Sequence, residues 1–250
     1  MDFLLECIGF PPDFDHAELA ALFRNQGEPA PWRDRAGRHR RLAIGDGLEL
    51  RLDESSPRGE AEVWPFFTGA AALRIEVDRV DPVPDSPFDA LLHGWTNPSR
   101  GRDESPEPRF RFATWLADRR RLPTDLRRGR VLAVSVAGYA LDLRDVRPSQ
   151  GAPRIEPLGG PDDPGGSVDL TLEVLEIERL ENPLTRSPVE RLVLDAPGRP
   201  LTVFTSPWQR ELDGLPDPRP GWEICGTFLF NGRVAGGLPS PTRRLGRSFG

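Results

Sequence analysis

From Leu73 to Val80 apolar and charged residues alternate: Leu73, Ile75 and Val77 on one side, Arg74, Glu76 and Asp78 between them. That period of two predicts a strand with one buried face. The pattern returns between Leu170 and Leu180. Ile75-Glu76-Val77-Asp78-Arg79-Val80-Asp81 is matched a hundred residues further on by Leu175-Glu176-Ile177-Glu178-Arg179-Leu180-Glu181. Ser86-Pro87 is matched by Ser187-Pro188, and Trp115 with Leu122-Pro123 by Trp208 with Leu215-Pro216. A repeat of this length predicts two tandem domains rather than a solenoid of short units.

Each copy reads as five short strands. In the first they are Leu73 to Val80, Phe88 to Trp95, Phe110 to Leu116, Val131 to Val136 and Tyr139 to Leu143, with Gly138 as a turn or bulge. In the second they are Leu170 to Leu180, Val189 to Leu194, Leu201 to Phe204, Gly221 to Phe230, and a return at Val234 after an Asn231-Gly232 hairpin signal. Residues 97–108 are a polar insertion. Ahead of the repeats, Phe3 to Phe10 reads as a strand and His16 to Asn25 as a helix with Asp15 as N-cap. Leu42 to Ile44 and Leu48 to Leu52 read as a hairpin around Gly45-Asp46-Gly47, and Val63 to Phe67 as a further strand.

The expected fold class is mainly β, α+β overall. A small β-α-β-β-β domain (1–70) precedes two β-barrel repeats (71–148 and 169–238), joined by a Pro/Gly-rich flexible linker (149–168) and followed by a tail (239–250). Closing each repeat into a barrel would remove the sheet edges that attract other chains. The strand order and the Gly that opens the fourth strand resemble the OB-fold, a five-stranded Greek-key barrel; in the second copy the resemblance rests on Leu175 to Leu180, Leu192 to Asp195, Leu201 to Phe204, and Gly221 to Phe230 with Gly226 inside. It implies a binding face for oligonucleotides or other ligands. The hairpin Ile44-Gly45-Asp46-Gly47-Leu48-Glu49-Leu50 resembles half of a vicinal-oxygen-chelate (glyoxalase-like) module. The partner half and the metal ligands of that family are not evident, so no chemistry follows from it.

Composition narrows the function. All 33 basic side chains are Arg, which resembles the coding bias of a GC-rich bacterial genome, and the net charge is −6. Residues 1–70 carry a net −5, whereas residues 71–148, with 14 Arg against 12 acids, carry +2. An acidic chain opposes generic nucleic-acid binding. No apolar run is long enough to span a membrane, the N-terminus lacks a signal-peptide pattern, and Cys7 and Cys225 are too few for a disulfide framework; a cytoplasmic protein is expected.

His16, His39 and His93 have no partners at metal-ligand spacing, so no metal, cofactor or catalytic residue is assigned. Glu176 and Glu178 alternate with apolar residues and read as a solvated strand face rather than as paired catalytic carboxylates. Trp115 and Trp208 occupy matched places and are expected in the two cores. The candidate binding residues are Arg119, Arg120, Arg121, Arg127, Arg128 and Arg130, whose guanidinium groups suit an anionic ligand or acidic partner. The expected function is a non-enzymatic binding or assembly protein, with a protein partner or small ligand favoured over nucleic acid. The alternatives are a single-stranded nucleic-acid-binding protein and an enzyme with a site at a domain junction.

Overall fold

The computed structural model describes residues 2–29, 37–55, 61–83, 86, 88–98, 108–117, 119, 122, 126–159 and 165–235. The tail and most of the polar insertion lie outside them. Two helices open the chain, α1 (Asp2–Glu6) and α2 (His16–Gln26), followed by an antiparallel sheet in the order β1 (Glu28–Pro29), β2 (Gly37–Gly45), β3 (Leu48–Ser55), β4 (Ala61–Phe67). The expected N-cap is present: Asp15 accepts from the Ala17 N–H at 2.8 Å. The expected hairpin is present too, with Asp46 and Gly47 both at positive φ in the tight turn. Residues 3–10 are a correction. They form α1 and a turn, not a strand, with Ile8 N–H bonded to Leu5 C=O at 3.0 Å. Leu4, Leu5, Cys7, Ile8 and Phe10 are all buried, and a short run buried on every side has no period to separate helix from strand.

The repeats supply β5 (Ala72–Pro82), β6 (Ala90–Thr96), β7 (Arg111–Leu116) and β8 (Val131–Pro148), then β10 (Ser167–Glu181), β11 (Pro188–Leu194), β12 (Leu201–Thr205) and β13 (Trp222–Val234). Between them lies β9 (Arg154–Pro157), which pairs with β10 inside the segment expected as a linker. A short helix, α3 (Pro207–Leu212), follows β12.

Among the described residues each copy supplies four strands, not five. The expected fourth and fifth strands of the first copy are one strand, β8, and Asn231-Gly232 lies within β13 rather than in a hairpin. Gly138 is there for space: a Cβ at this position would stand 2.8 Å from Phe230 and 2.9 Å from Val203. The fifth strand of each barrel comes from the other copy. One ring runs β5-β6-β7-β13-β8 and back to β5; the second runs β10-β11-β12-β8-β13 and back to β10. β7 lies parallel to β13, with Trp115 opposite Asn231, and β12 lies parallel to β8, with Phe204 opposite Tyr139. The antiparallel β8–β13 ladder belongs to both rings.

The pairing fixes which residues are equivalent. β5 is bulged between Val77 and Arg79, and β10 between Val174 and Glu176. The Gly129 N–H reaches Val77 C=O at 2.7 Å, and the Gly221 N–H reaches Val174 C=O at 2.9 Å. Both glycines have a φ near +80°, +82° and +81°, where a side chain is disfavoured. Val77 therefore corresponds to Val174. The repeat that the frame uses is Leu73-Arg74-Ile75-Glu76-Val77 against Leu170-Thr171-Leu172-Glu173-Val174. The longer match read from sequence is three residues out of register: Ile75 is 1% exposed and Leu175 41%. Alternating strands resemble one another at several shifts, and a bulge reverses the phase of the alternation.

The same register corrects the tryptophans. Trp115 corresponds to Phe204, and Trp208 sits in α3, which begins only after the chain has left the strand at the Ser206 N-cap. Trp115 is half-buried and packs on Trp64 at 4.8 Å, while Trp208 is 39% exposed.

The described residues of the N-terminal segment cover one side of the double barrel. Phe67 meets Phe204 at 5.3 Å on the second ring, Asn231 donates to Pro65 C=O at 3.0 Å on the shared ladder, and Arg233 pairs with Glu49 at 3.0 Å. The loop after β10 is held by Asn182, which donates to Ile8 C=O at 2.8 Å. The loop after β5 is held by Asp89, which accepts from Arg51 at 2.7 Å. The equivalent strand-one to strand-two loops of both barrels are thus occupied by the N-terminal segment.

Candidate functional site

The end of the first barrel away from those loops carries a cleft. Its floor is β5. Ile75 and Val77 point into the barrel, so Glu76 turns outward, and the bulge after Val77 brings Asp78 to the same rim. Trp95 stands opposite Glu76 in the β5–β6 ladder, and Arg111 stands opposite Trp95 in the β6–β7 ladder. Side chains directly across a strand pair interact, and here they form a row of carboxylate, indole and guanidinium over three strands. Gly94 lets β6 close on the bulge, since a Cβ there would stand 2.4 Å from Glu76 C=O.

The row is pinned by two ion pairs. Arg109 donates to Glu76 at 2.8 Å, and Arg128 Nε donates to Asp78 at 2.8 Å. The guanidinium carbons of Arg109 and Arg111 lie over the Trp95 ring at 5.6 and 6.0 Å from its centre, within cation–π range. Glu76, Val77, Asp78, Trp95, Arg109, Arg128 and Gly129 enclose a cleft of about 450 Å³, the size of a small-molecule site. Trp95 is 39% exposed.

The second barrel has the same backbone with other side chains at the matching positions, and its own indole–guanidinium contact, Trp222 with Arg219 at 5.3 Å, follows the Gly221 turn instead. Val174 and Gly221 repeat the Val77–Gly129 turn, and Glu173 repeats Glu76. The positions of Asp78, Trp95, Arg111 and Arg128 are taken by Leu175, Asp195, Pro200 and Pro220. The cleft is therefore not a consequence of the barrel frame.

The candidate arginines are divided. Arg128 lines the cleft; Arg127 and Arg130 are exposed on the same turn, where Arg130 N–H bonds Arg127 C=O at 3.1 Å. Arg119 lies at the opposite end of β6, its N–H bonded to Phe88 C=O at 3.1 Å. Arg120 and Arg121 lie outside the described residues. Arg109 and Arg111 were missed from sequence. Their signal was the alternation Arg109-Phe110-Arg111-Phe112, which puts two cations on one strand face.

A second polar cluster lies between β2–β3 and the first barrel. His39 Nδ1 contacts Asp53, Asp53 pairs with Arg51, and Arg51 also donates to Asp89 and to the Ala117 carbonyl. Ser86 donates to the second Asp89 oxygen at 2.7 Å, and the His39 ring meets Phe88 edge-on at 4.4 Å. Burial alone would lower the Arg51 pKa; the facing carboxylates of Asp53 and Asp89 outweigh it and raise it. All five residues are buried. The cluster clamps the N-terminal sheet to the barrel, and Arg51 with Asp89 is the pair that crosses the junction.

Among the described residues no group of three or more His, Cys, Asp or Glu is placed to hold a metal ion, and no helix is long and apolar enough to cross a membrane. Comparison of the chain with models of protein families, with curated proteins and with solved structures returns no match.

Proposed function

We propose that the protein is a non-enzymatic binding protein whose ligand occupies the Trp95 cleft of the first barrel. The observation that carries this reading is the asymmetry of the duplication. Two equivalent sites share a bulge, a Gly turn and a Glu, yet among the described residues only the first sets an indole opposite that Glu with ion-paired guanidinium groups around it; the second has Asp195 there, and its Trp222 follows the Gly turn, half-buried beside Arg219. A feature needed only for folding would be needed in both. The strand-one to strand-two loops are occupied by residues 1–70, which leaves this end of the barrel as the accessible one. The strand order in each ring, with the third strand parallel to the strand that closes it, supports the OB-like reading.

Fluorine NMR of full-length protein labelled with 5-fluorotryptophan tests the proposal. A fragment set of sugars, nucleosides, amino acids and short peptides should yield ligands that shift the Trp95 resonance, assigned with Trp95→Phe. Trp64 and Trp115, packed on each other, serve as internal references. Ligands that bind tightly yet leave Trp95 unmoved, with affinity unchanged in Trp95→Ala, would overturn it.

A second reading, single-stranded nucleic acid, is favoured by Trp95 and Arg111 on consecutive strands, since a base stacks on an indole beside a cation. Against it, Glu76 and Asp78 already pair with Arg109 and Arg128, and the chain is acidic overall. Anisotropy titration of a labelled oligothymidylate at two salt concentrations separates the readings. Submicromolar, steeply salt-dependent binding would favour the nucleic acid.

A further inference from the structure

We infer that the ligand of the Trp95 cleft is a neutral saccharide. This rests on the cleft being the ligand site, and it follows from how the charges there are spent.

The four charged side chains that line the cleft form two pairs, Arg109 with Glu76 and Arg128 with Asp78, each at 2.8 Å. Their formal charges cancel. Arg111 does not line the cleft; it lies over the indole from β7. An incoming phosphate or carboxylate would gain two guanidinium groups and meet two carboxylates at nearly the same distance. Like-charge contact of that kind offsets the attraction. An incoming ammonium group faces the reverse balance. Within the lining, the charges therefore favour neither sign, and Arg111 adds one further cation beside the indole.

Hydrogen-bonding capacity is not cancelled. A guanidinium has five N–H donors and a carboxylate about four acceptor sites, and each ion pair here uses one of each. The rim thus presents donors and acceptors side by side. A hydroxyl group both donates and accepts, so neighbouring hydroxyls on one ring can answer an Arg and a Glu together. The Arg109–Glu76 pair, with each side chain about two-thirds covered, also orients its groups before binding, which lowers the ordering cost. The remaining wall is Trp95, whose ring carries the Arg109 and Arg111 guanidinium groups and still leaves 39% of the residue exposed to a ligand. A pyranose has the matching shape: one face of C–H groups and a rim of hydroxyls. A cleft of about 450 Å³ accommodates a small ligand of this kind but not a folded partner. Leu175 and Asp195 at the equivalent places of the second barrel provide neither the platform nor the paired rim.

The experiment uses the full-length 5-fluorotryptophan protein and named probes: maltohexaose, cellohexaose, hexa-N-acetylchitohexaose and mannohexaose as neutral saccharides, and oligothymidylate and polyglutamate as anions. At least one neutral saccharide should shift the Trp95 resonance. Its affinity should be the same at low and high salt, because no counterions are released. Trp95→Ala should weaken it by about tenfold or more, the equivalent of ~1.4 kcal/mol. Asp78→Asn, which removes one acceptor charge from a partly exposed side chain, should weaken the saccharide and strengthen any anion. Binding of an anionic probe at Trp95 with the four saccharides inert overturns the saccharide and leaves the cleft as a ligand site. Saccharide binding undiminished in Trp95→Ala overturns both. Failure of all four saccharides to shift Trp95 overturns the saccharide inference whatever the anions do.

Discussion

Gly138→Ala tests whether the two barrels share a strand pair. Gly138 sits in β8 opposite Phe230, where an added Cβ would stand 2.8 and 2.9 Å from two Phe230 ring atoms and 2.9 Å from Val203 Cγ1. Contacts that short force neighbouring core side chains off their preferred positions, a cost of about 1–3 kcal/mol. The backbone at Gly138 is not in the left-handed region, so Ala itself is tolerated there and returns about 0.4–1 kcal/mol through the unfolded chain. The net expectation is a loss of about 0.5–2 kcal/mol, seen in urea denaturation and as a fall in Tm of roughly 2–4 °C per kcal/mol for a chain of this length. Gly151 is the control: nothing lies within 4 Å of its Cβ position, and Gly151→Ala should be neutral or slightly stabilising. Phe230→Leu frees space at the clash, so the cost of Gly138→Ala should shrink in that background by about 0.5–3 kcal/mol of coupling. A stabilising Gly138→Ala, or one that ignores residue 230, would place Gly138 in the turn that the sequence suggested and would refute the shared ladder.

Three further outcomes are expected. Asp89→Ala removes one of the two carboxylates that face buried Arg51, leaving Asp53 and the Ala117 carbonyl, and should cost about 1–3 kcal/mol in urea denaturation; no measurable loss would mean that the clamp is solvated. Burial pushes the Cys7 thiol up to about 12, and its Sγ donates to Ala140 C=O, so Ellman's reagent should titrate only half-buried Cys225 in native protein and both thiols after unfolding; two fast native thiols would contradict the docked N-terminus. Burial first, and then Arg79, lowers the His93 pKa below its ordinary value near 6.5, with Asp81 opposing. The unfolded state then binds the proton more readily, so this contribution to stability is complete above the unfolded pKa and is lost as pH falls from there through the folded one. His93→Gln should flatten that part of the stability–pH curve, and an unchanged slope would remove His93 as its cause.

Much of the frame was legible because alternation is local. Leu73, Ile75 and Val77 announce a strand and its buried face by themselves. What the chain could not announce is pairing between residues far apart. β7 lies parallel to β13 and β12 to β8 across the whole length of the repeats, and no window of sequence contains both partners. Glycine is similarly mute: Gly138 and Gly129 both lack a Cβ, one because Phe230 needs the room and one because φ is positive. The site was hidden for the same reason as the pairing. The arginines clustered between 119 and 130 drew attention by proximity in sequence, yet the barrel sends Arg119 and Arg128 to opposite ends of β6. Arg109, Trp95 and Glu76 meet only through the register of three strands.

The shared ladder also explains why both copies belong in one chain. By the equivalence that the bulges and Gly turns impose, Gly138 corresponds to Phe230, and the two residues stand opposite each other at the pseudo-two-fold axis. In a symmetric dimer of identical units that position would face itself. Two phenylalanines would collide there, and two glycines would leave a void at the centre of both barrels. One Gly against one Phe fills the space, with Phe230 also packed edge-on against Phe112 at 4.8 Å. Such a pair is available only to a fused duplication whose halves vary separately. The same freedom extends outward from the axis: residues 1–70 clamp the two barrels by different contacts, and a polar cleft has been fitted to one of two matching turns. The Gly–Phe seam and the single cleft are the core and surface expressions of one break in symmetry.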